Sequence, residues 1–309
     1  MHMPFPLFGD PGSGPGGPGP DTPVVSLIVA GSADPGALRE TLTSMLAITR
    51  PSHEVIVVDT GLGPACSAVI RDFVRLDPTV RPHHAEGLTV TTALNAGATL
   101  ARGAVLAFVV PGTCVPPAIA STRWDLLERR TDTVAAMVGH DPGDEAVAPL
   151  TPAALMDGIA ATHGAPLAMT RTAWEMVGGF DETQPETMIE DWILRALKAS
   201  PRSVFRLGQA SLPPEAPVMT AALPLPSIGA WDRLWQRAAA LDPAASTGRD
   251  KARARHRRAL AVAKRRAGAP RSLALGMLAQ AVMEWPGMLT AEPRGVWDAA
   301  RALIRSGGK

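Results

Sequence analysis

Residues 178–198 read Gly-Gly-Phe-Asp-Glu-Thr-Gln-Pro-Glu-Thr-Met-Ile-Glu-Asp-Trp-Ile-Leu-Arg-Ala-Leu-Lys. Ile189, Trp192, Ile193, Ala196 and Leu197 recur at helical spacing, so the segment is expected to form an amphipathic helix with one buried stripe. Glu190 and Asp191 then lie in its first turn, where carboxylates suit the positive end of the helix dipole. Asp191 stands four residues before Arg195, the spacing of a surface ion pair, and that structural use competes with a chemical one. Just upstream, residues 165–169 read as a short strand and residues 171–177 as a helix ended by Gly178-Gly179.

Working outward, Val24-Val25-Ser26-Leu27-Ile28-Val29 is a near-continuous apolar run, as in a strand covered on both faces. Asp34 and Pro35 supply an N-cap and a first-turn proline for a helix whose Leu38, Leu42, Met45 and Leu46 share a face. A strand over 54–58 ends in Asp59-Thr60-Gly61, and a helix through Val69, Ile70, Phe73 and Val74 follows. Residues 80–83 read as a short strand, 92–101 as a helix, and Val105-Leu106-Ala107-Phe108-Val109-Val110 as another buried strand. This alternation predicts an α/β fold with a mostly parallel sheet. Ligands of such sheets bind beyond the carboxyl ends of the strands, so Ala30-Gly31-Ser32, Asp59-Thr60-Gly61 and Pro111-Gly112-Thr113 are expected around one crevice.

The chain of 309 residues suits one large domain with an appendage, or two small domains, and its net charge of +1 implies no general attraction to polyanions. Cys66 and Cys114 make neither a disulfide framework nor a metal-ligand spacing, and they read as small buried hydrophobes in a reducing compartment. No apolar run has the length of a membrane span, and residues 1–10 lack the pattern of a signal peptide. The expectation is a soluble cytoplasmic protein. Residues 11–20 are glycine and proline with one serine, so residues 1–22 are expected to be a disordered tail.

In order and spacing, the motifs resemble those of family 2 glycosyltransferases. Val57-Val58-Asp59-Thr60-Gly61 is similar to the family's Val-Val-Asp-Asp-Gly-Ser. Leu94-Asn95-Ala96-Gly97, with Ala101-Arg102-Gly103 leading into Phe108, is similar to its Arg-Asn-x-Gly and Ala-x-Gly-x-x-x-x-Phe run. The strand, helix, Gly-Gly-Phe-Asp-Glu and Glu-Asp order matches its acceptor-side segment, so the resemblance covers Val24 to about Leu212. It implies a nucleotide-sugar-transferase-like three-layer sandwich with a mostly parallel mixed sheet over residues 23–215; the helical stretches beyond it predict a helical extension over 216–309. It also implies inverting transfer of a sugar from a UDP- or GDP-linked donor to an acceptor hydroxyl. Asp191 matches the general base, with Glu190 beside it, and Asp59, Gly61, Asn95, Arg102, Gly112 and Thr113 fall on the donor side.

The sequence departs from the family where Asp-x-Asp holds a divalent cation, because Val110-Pro111-Gly112 stands there and Thr113 and Cys114 are poor ligands for a hard cation. Thr60 replaces a second aspartate. The family's Pro-x-Tyr-Asn loop is Ala30-Gly31-Ser32-Ala33, in a chain without tyrosine. Transfer without the usual metal is therefore expected; the competing reading is an inactive binding or scaffold protein that kept the fold.

Beyond a proline-rich segment at 213–226, helices are expected over 228–241, 249–267, 272–284 and 294–304. Residues 249–271 are strongly basic, which suggests a solvated helix face or peripheral contact with an anionic inner membrane surface, with nucleic acid disfavoured. Trp231, Trp235, Trp285 and Trp297 are expected to pack this region onto the main domain.

Overall fold

The computed structural model describes residues 23–48, 52–61, 63–113, 136–138, 147–157, 167–201, 204–207 and 225–305. The glycine- and proline-rich tail, Cys114 and all but the last two residues of the proline-rich segment lie outside them.

Three β-α units come first: β1 (Val25–Ala30), α1 (Pro35–Leu46), β2 (His53–Asp59), α2 (Pro64–Leu76), β3 (Val80–His84), α3 (Val90–Leu100), then β4 (Val105–Val109). The chain continues through β5 (Ala136–Val138), β6 (Val147–Pro149), α4 (Pro152–Asp157), β7 (Leu167–Thr170), α5 (Arg171–Val177), α6 (Met188–Ala199) and β8 (Val204–Leu207). Among the described residues the eight strands form one sheet in the order β3-β2-β1-β4-β7-β5-β8-β6. β1 is parallel to both β2 and β4, with Val25 opposite His53 and Val105. As expected, Asp34 caps α1, accepting from the N–H groups of Gly36 and Ala37.

The alternation of β1 divides the core into two layers. Val25, Leu27 and Val29 pack with Leu38, Leu42 and Met45 of α1 and Val69, Ile70 and Phe73 of α2. Ile28 and Ala30 pack, with Phe108, against Leu94 of α3 and Trp192 and Ile193 of α6. The result is helix on sheet on helix, the sandwich expected from the sequence.

β7 is antiparallel to β4, pairing Leu167 with Phe108 and Thr170 with Val105. The chain therefore reaches the amino edge of the parallel strands at Thr170 and turns there into α5. Arg171 pins that corner, donating from its guanidinium to the carbonyls of Ala101 and Gly103. Two turns of α5 then carry the chain back to the carboxyl edge, and Gly178, with φ of 84°, ends the helix where Cβ would be strained.

The extension comprises α7 (Ile228–Leu241), α8 (Arg249–Arg266), α9 (Arg271–Glu284), the short α10 (Met288–Ala291) and α11 (Pro293–Arg305). Trp231, Leu234, Trp235 and Ala238 of α7 join the core layer that contains α6. α8, α9 and α11 pack through smaller apolar sets, one of them Ala274, Leu278, Ala299 and Leu303. Trp231 and Trp235 behave as expected, whereas Trp297 is 65% exposed and packs nothing onto the main domain.

The basic helix α8 differs from both readings of its charge. Arg249 and Arg253 pair with Asp232, and Arg253 and Arg257 with Glu284. Arg255 pairs with Asp157 and Glu292, and Arg258 with Glu292. These arginines tie α8 to its neighbours rather than presenting a uniform cationic face. Among the described residues no helix is long and apolar enough to cross a membrane.

Candidate active site

The two edges of the parallel strands differ. At the amino edge Glu54, 2% exposed, accepts from Ser26 Oγ at 2.7 Å, the Arg102 N–H at 2.7 Å and the guanidinium groups of Arg81 and Arg102. Burial alone would raise its pKa, but the Arg102 N–H, Ser26 and Arg81 outweigh that and hold it below the ordinary carboxylate value. Ser26 Oγ in turn accepts from Gly103 N–H. A Cβ on Gly103 would lie 2.6 Å from the Ser26 nitrogen, so this glycine lets the chain approach β1. Arg102 thus lies at the edge opposite the expected crevice, away from Asp59 and Gly61.

Asn95 also serves structure first. Its side-chain oxygen accepts from Phe180 N–H at 2.9 Å, and its amide donates to Phe180 O and Glu182 Oε1, both at 3.0 Å. It lashes α3 to the loop after α5. Two residues on, a Cβ at Gly97 would come within 2.5 Å of Ile28 Cγ2, so only glycine allows α3 this close to β1. The motif that resembles Asn-x-Gly builds the wall of the site.

At the carboxyl edge Gly31 N–H donates to Val58 O, joining the loops after β1 and β2. Asp59 accepts from Gly61 N–H at 3.0 Å and Ser67 Oγ at 2.9 Å, with His84 Nδ1 3.5 Å away. Gly61 has φ of 79°, and the Glu86 side chain fills the space a Cβ would need.

After β4, Thr113 N–H donates back to Val110 O across Pro111 and Gly112, and Gly112 has φ of 85°. Proline second and a positive-φ glycine third make a type II β-turn. Gly112 N–H donates to Thr41 Oγ1 at 2.8 Å, drawing this turn onto α1. Thr113 is fully buried, and among the described residues its Oγ1 has no hydrogen-bond partner. The apolar and backbone groups at 110–112 do not fit a hard divalent cation, which requires several oxygen ligands.

The Gly-Gly-Phe-Asp-Glu loop lies over this edge. Phe180 packs edge-on against Phe108 with centroids 4.8 Å apart, and Trp174 contacts both rings. Hydrogen bonds from Thr183, outweighing burial, and the nearby Arg237 and Arg195 lower the pKa of Asp181. α6 follows, with Met188 against Thr91 of α3. Glu190 and Asp191, each 1% exposed, occupy its first turn.

Asp191 is held by guanidinium groups on both oxygens. Arg195 Nε donates to Oδ2 at 3.0 Å, and Arg237 Nη1, from α7, donates to Oδ1. The i to i+4 pair read from sequence is real, but it is buried at its acidic end rather than on the surface. Arg195 is committed further, to Val177 O and Gly179 O. Arg237 was not singled out from the sequence; it stands 46 positions from Asp191, and only the packing of α7 on α6 brings it there.

Residues 28–118 match the model described as Glycosyl transferase family 2. This part of the chain is similar to family 2 glycosyltransferases. The transferase-like fold extends beyond it. A mannosyltransferase from Pyrobaculum calidifontis, in complex with GDP-Man and Mn2+, aligns over 98% of this chain and 89% of its own, with 18% identity and a TM-score of 0.53. S. aureus TarS 1-349 in complex with UDP-GlcNAc aligns over 92% and 81%, with 13% identity and a TM-score of 0.52. No curated protein sequence matches.

Proposed function

We propose that the protein transfers a sugar from a nucleotide-diphosphate donor to an acceptor hydroxyl with inversion, without a metal bound in the Asp-x-Asp manner. The observation that carries this reading is Asp191, a buried carboxylate at the start of a helix whose preceding loop is tethered over the end of β4. Asp191 takes the proton of the acceptor hydroxyl as its oxygen attacks the anomeric carbon, and the bond to the diphosphate breaks on the opposite face. Asp59 and Gly61 meet the nucleoside, and the 110–113 turn lies beside the diphosphate. The family match at 28–118 and the donors in the two similar structures, GDP-Man and UDP-GlcNAc, support a UDP or GDP nucleotide. Membrane contact through residues 249–271 forms no part of this reading, because arginines of α8 are engaged in ion pairs within the chain.

The type II turn at Val110–Thr113 favours a second reading, a transferase-fold binding protein that has lost chemistry with the metal ligands. Calorimetric titration with UDP and GDP, in Mn2+, Mg2+ or chelator, tests both. Micromolar binding indifferent to metal, followed by donor turnover abolished in Asp191→Asn, is the expected result. Nucleotide binding without turnover for any acceptor or water selects the second reading, and no binding at all removes the first.

A further inference from the structure

From the mismatch between the fold and its metal motif, and resting on the transferase reading above, we infer that Arg237 of the C-terminal extension is a movable cation for the donor diphosphate. It caps Asp191 when the site is empty and releases it when donor binds.

The two guanidinium groups on Asp191 are not equivalent. Arg195 uses Nε, Nη1 and Nη2 on three acceptors, two of them carbonyls of the segment that ends α5. Moving it dismantles the Gly178-Gly179 corner. Arg237 has a side chain 47% exposed and makes one bond to Asp191. Its helix is anchored independently by the buried Trp231, Leu234, Trp235 and Ala238. Arg237 can therefore turn without disturbing its support.

Asp191 also gains from such a movement. A guanidinium on each oxygen competes with an incoming hydroxyl for the carboxylate's lone pairs, and Arg237 is the partner that can leave. Arg195, the other partner of Asp191, also donates to Gly179 O, next to Phe180, which packs on Phe108 of β4, so Asp191 and the Arg237 on it lie toward the end of the strand that precedes the turn. That turn offers a diphosphate no charge, and a guanidinium matches phosphate oxygens with two parallel donors. Binding of donor would thus transfer Arg237 from the base to the leaving group and couple the two events.

The test uses the full chain in chelator and compares UDP with UMP, and GDP with GMP, by calorimetry. Wild type is expected to prefer the diphosphate. Arg237→Gln should lose about tenfold or more in diphosphate affinity, as for a charge-assisted hydrogen bond, with the monophosphate little changed. Arg237→Lys should retain part of the preference. Asp191→Asn, which frees Arg237 from its carboxylate, should bind diphosphate several-fold tighter than wild type, a gain that adding Arg237→Gln should abolish. Wild-type affinity in Arg237→Gln, or no gain in Asp191→Asn, overturns this inference and leaves the transferase reading intact. A wild-type protein that binds neither nucleotide overturns both.

Discussion

Glu54 and Asp191 are both buried carboxylates paired with two arginines, yet they are built for different ends. Glu54 also has a backbone N–H, a serine hydroxyl and, through that serine, the N–H of Gly103 in one continuous network. Its partners fix the amino edge of β1 and β2 to the entrance of β4. Among the described residues Asp191 is held by two guanidinium groups, one half-exposed and carried by another region of the chain. A carboxylate solvated by backbone and hydroxyl is part of the frame; one neutralised by long, rotatable side chains can exchange partners.

The sharpest way to break this comparison is Asp191→Asn. Donor turnover should fall about 10³-fold, within the range for loss of a general base, while the melting temperature changes little. Glu54→Ala should do the converse, costing about 3 kcal/mol in urea unfolding by stranding buried partners, with nucleotide affinity preserved in the folded fraction. Gly97→Ala drives a Cβ into Ile28 and should cost about 2 kcal/mol, with the same preservation of affinity. Glu284→Gln weakens the pairs with Arg253 and Arg257 and should cost about 1 kcal/mol, an effect that shrinks at high salt.

The pH dependence of stability sharpens the comparison further. The pKa of Glu54 is lower folded than unfolded, so its contribution is present above the ordinary value of 4.5 and is lost as pH falls through the lower folded value. Urea midpoints measured downward from pH 5 should drop in wild type, and Glu54→Gln should lack that share of the drop.

Local chemistry made much of this legible. The apolar runs of β1, β2 and β4 could only be buried strands, and Asp34-Pro35 and Gly178-Gly179 mark helix ends by their own geometry. The helices of the extension also begin and end close to where periodicity puts them. What the sequence hid depends on distant partners. Glu54 meets Arg102 across 48 positions, and Asn95 meets Phe180 across 85. Their motifs put Asn95 and Arg102 together on the donor side, but packing makes Asn95 a tether and sets Arg102 at the opposite edge, with Gly97 a close contact between α3 and β1. β5, β6 and β8, three or four residues each, carry too little periodicity to announce themselves. The arginines of α8 looked like a surface because their acidic partners lie on α4, α7, α9 and the end of α10.

The joining of α7 to the core beneath α6 has a consequence for the growing chain. α6 emerges from the ribosome well before Trp231 and Trp235, so the apolar layer beneath it stays incomplete until the extension is made. Segments synthesised first must wait for the last third of the polypeptide, a delay in which exposed apolar surface invites chaperones or aggregation. Premature termination anywhere between the two helices would therefore leave an open core rather than a shorter folded protein.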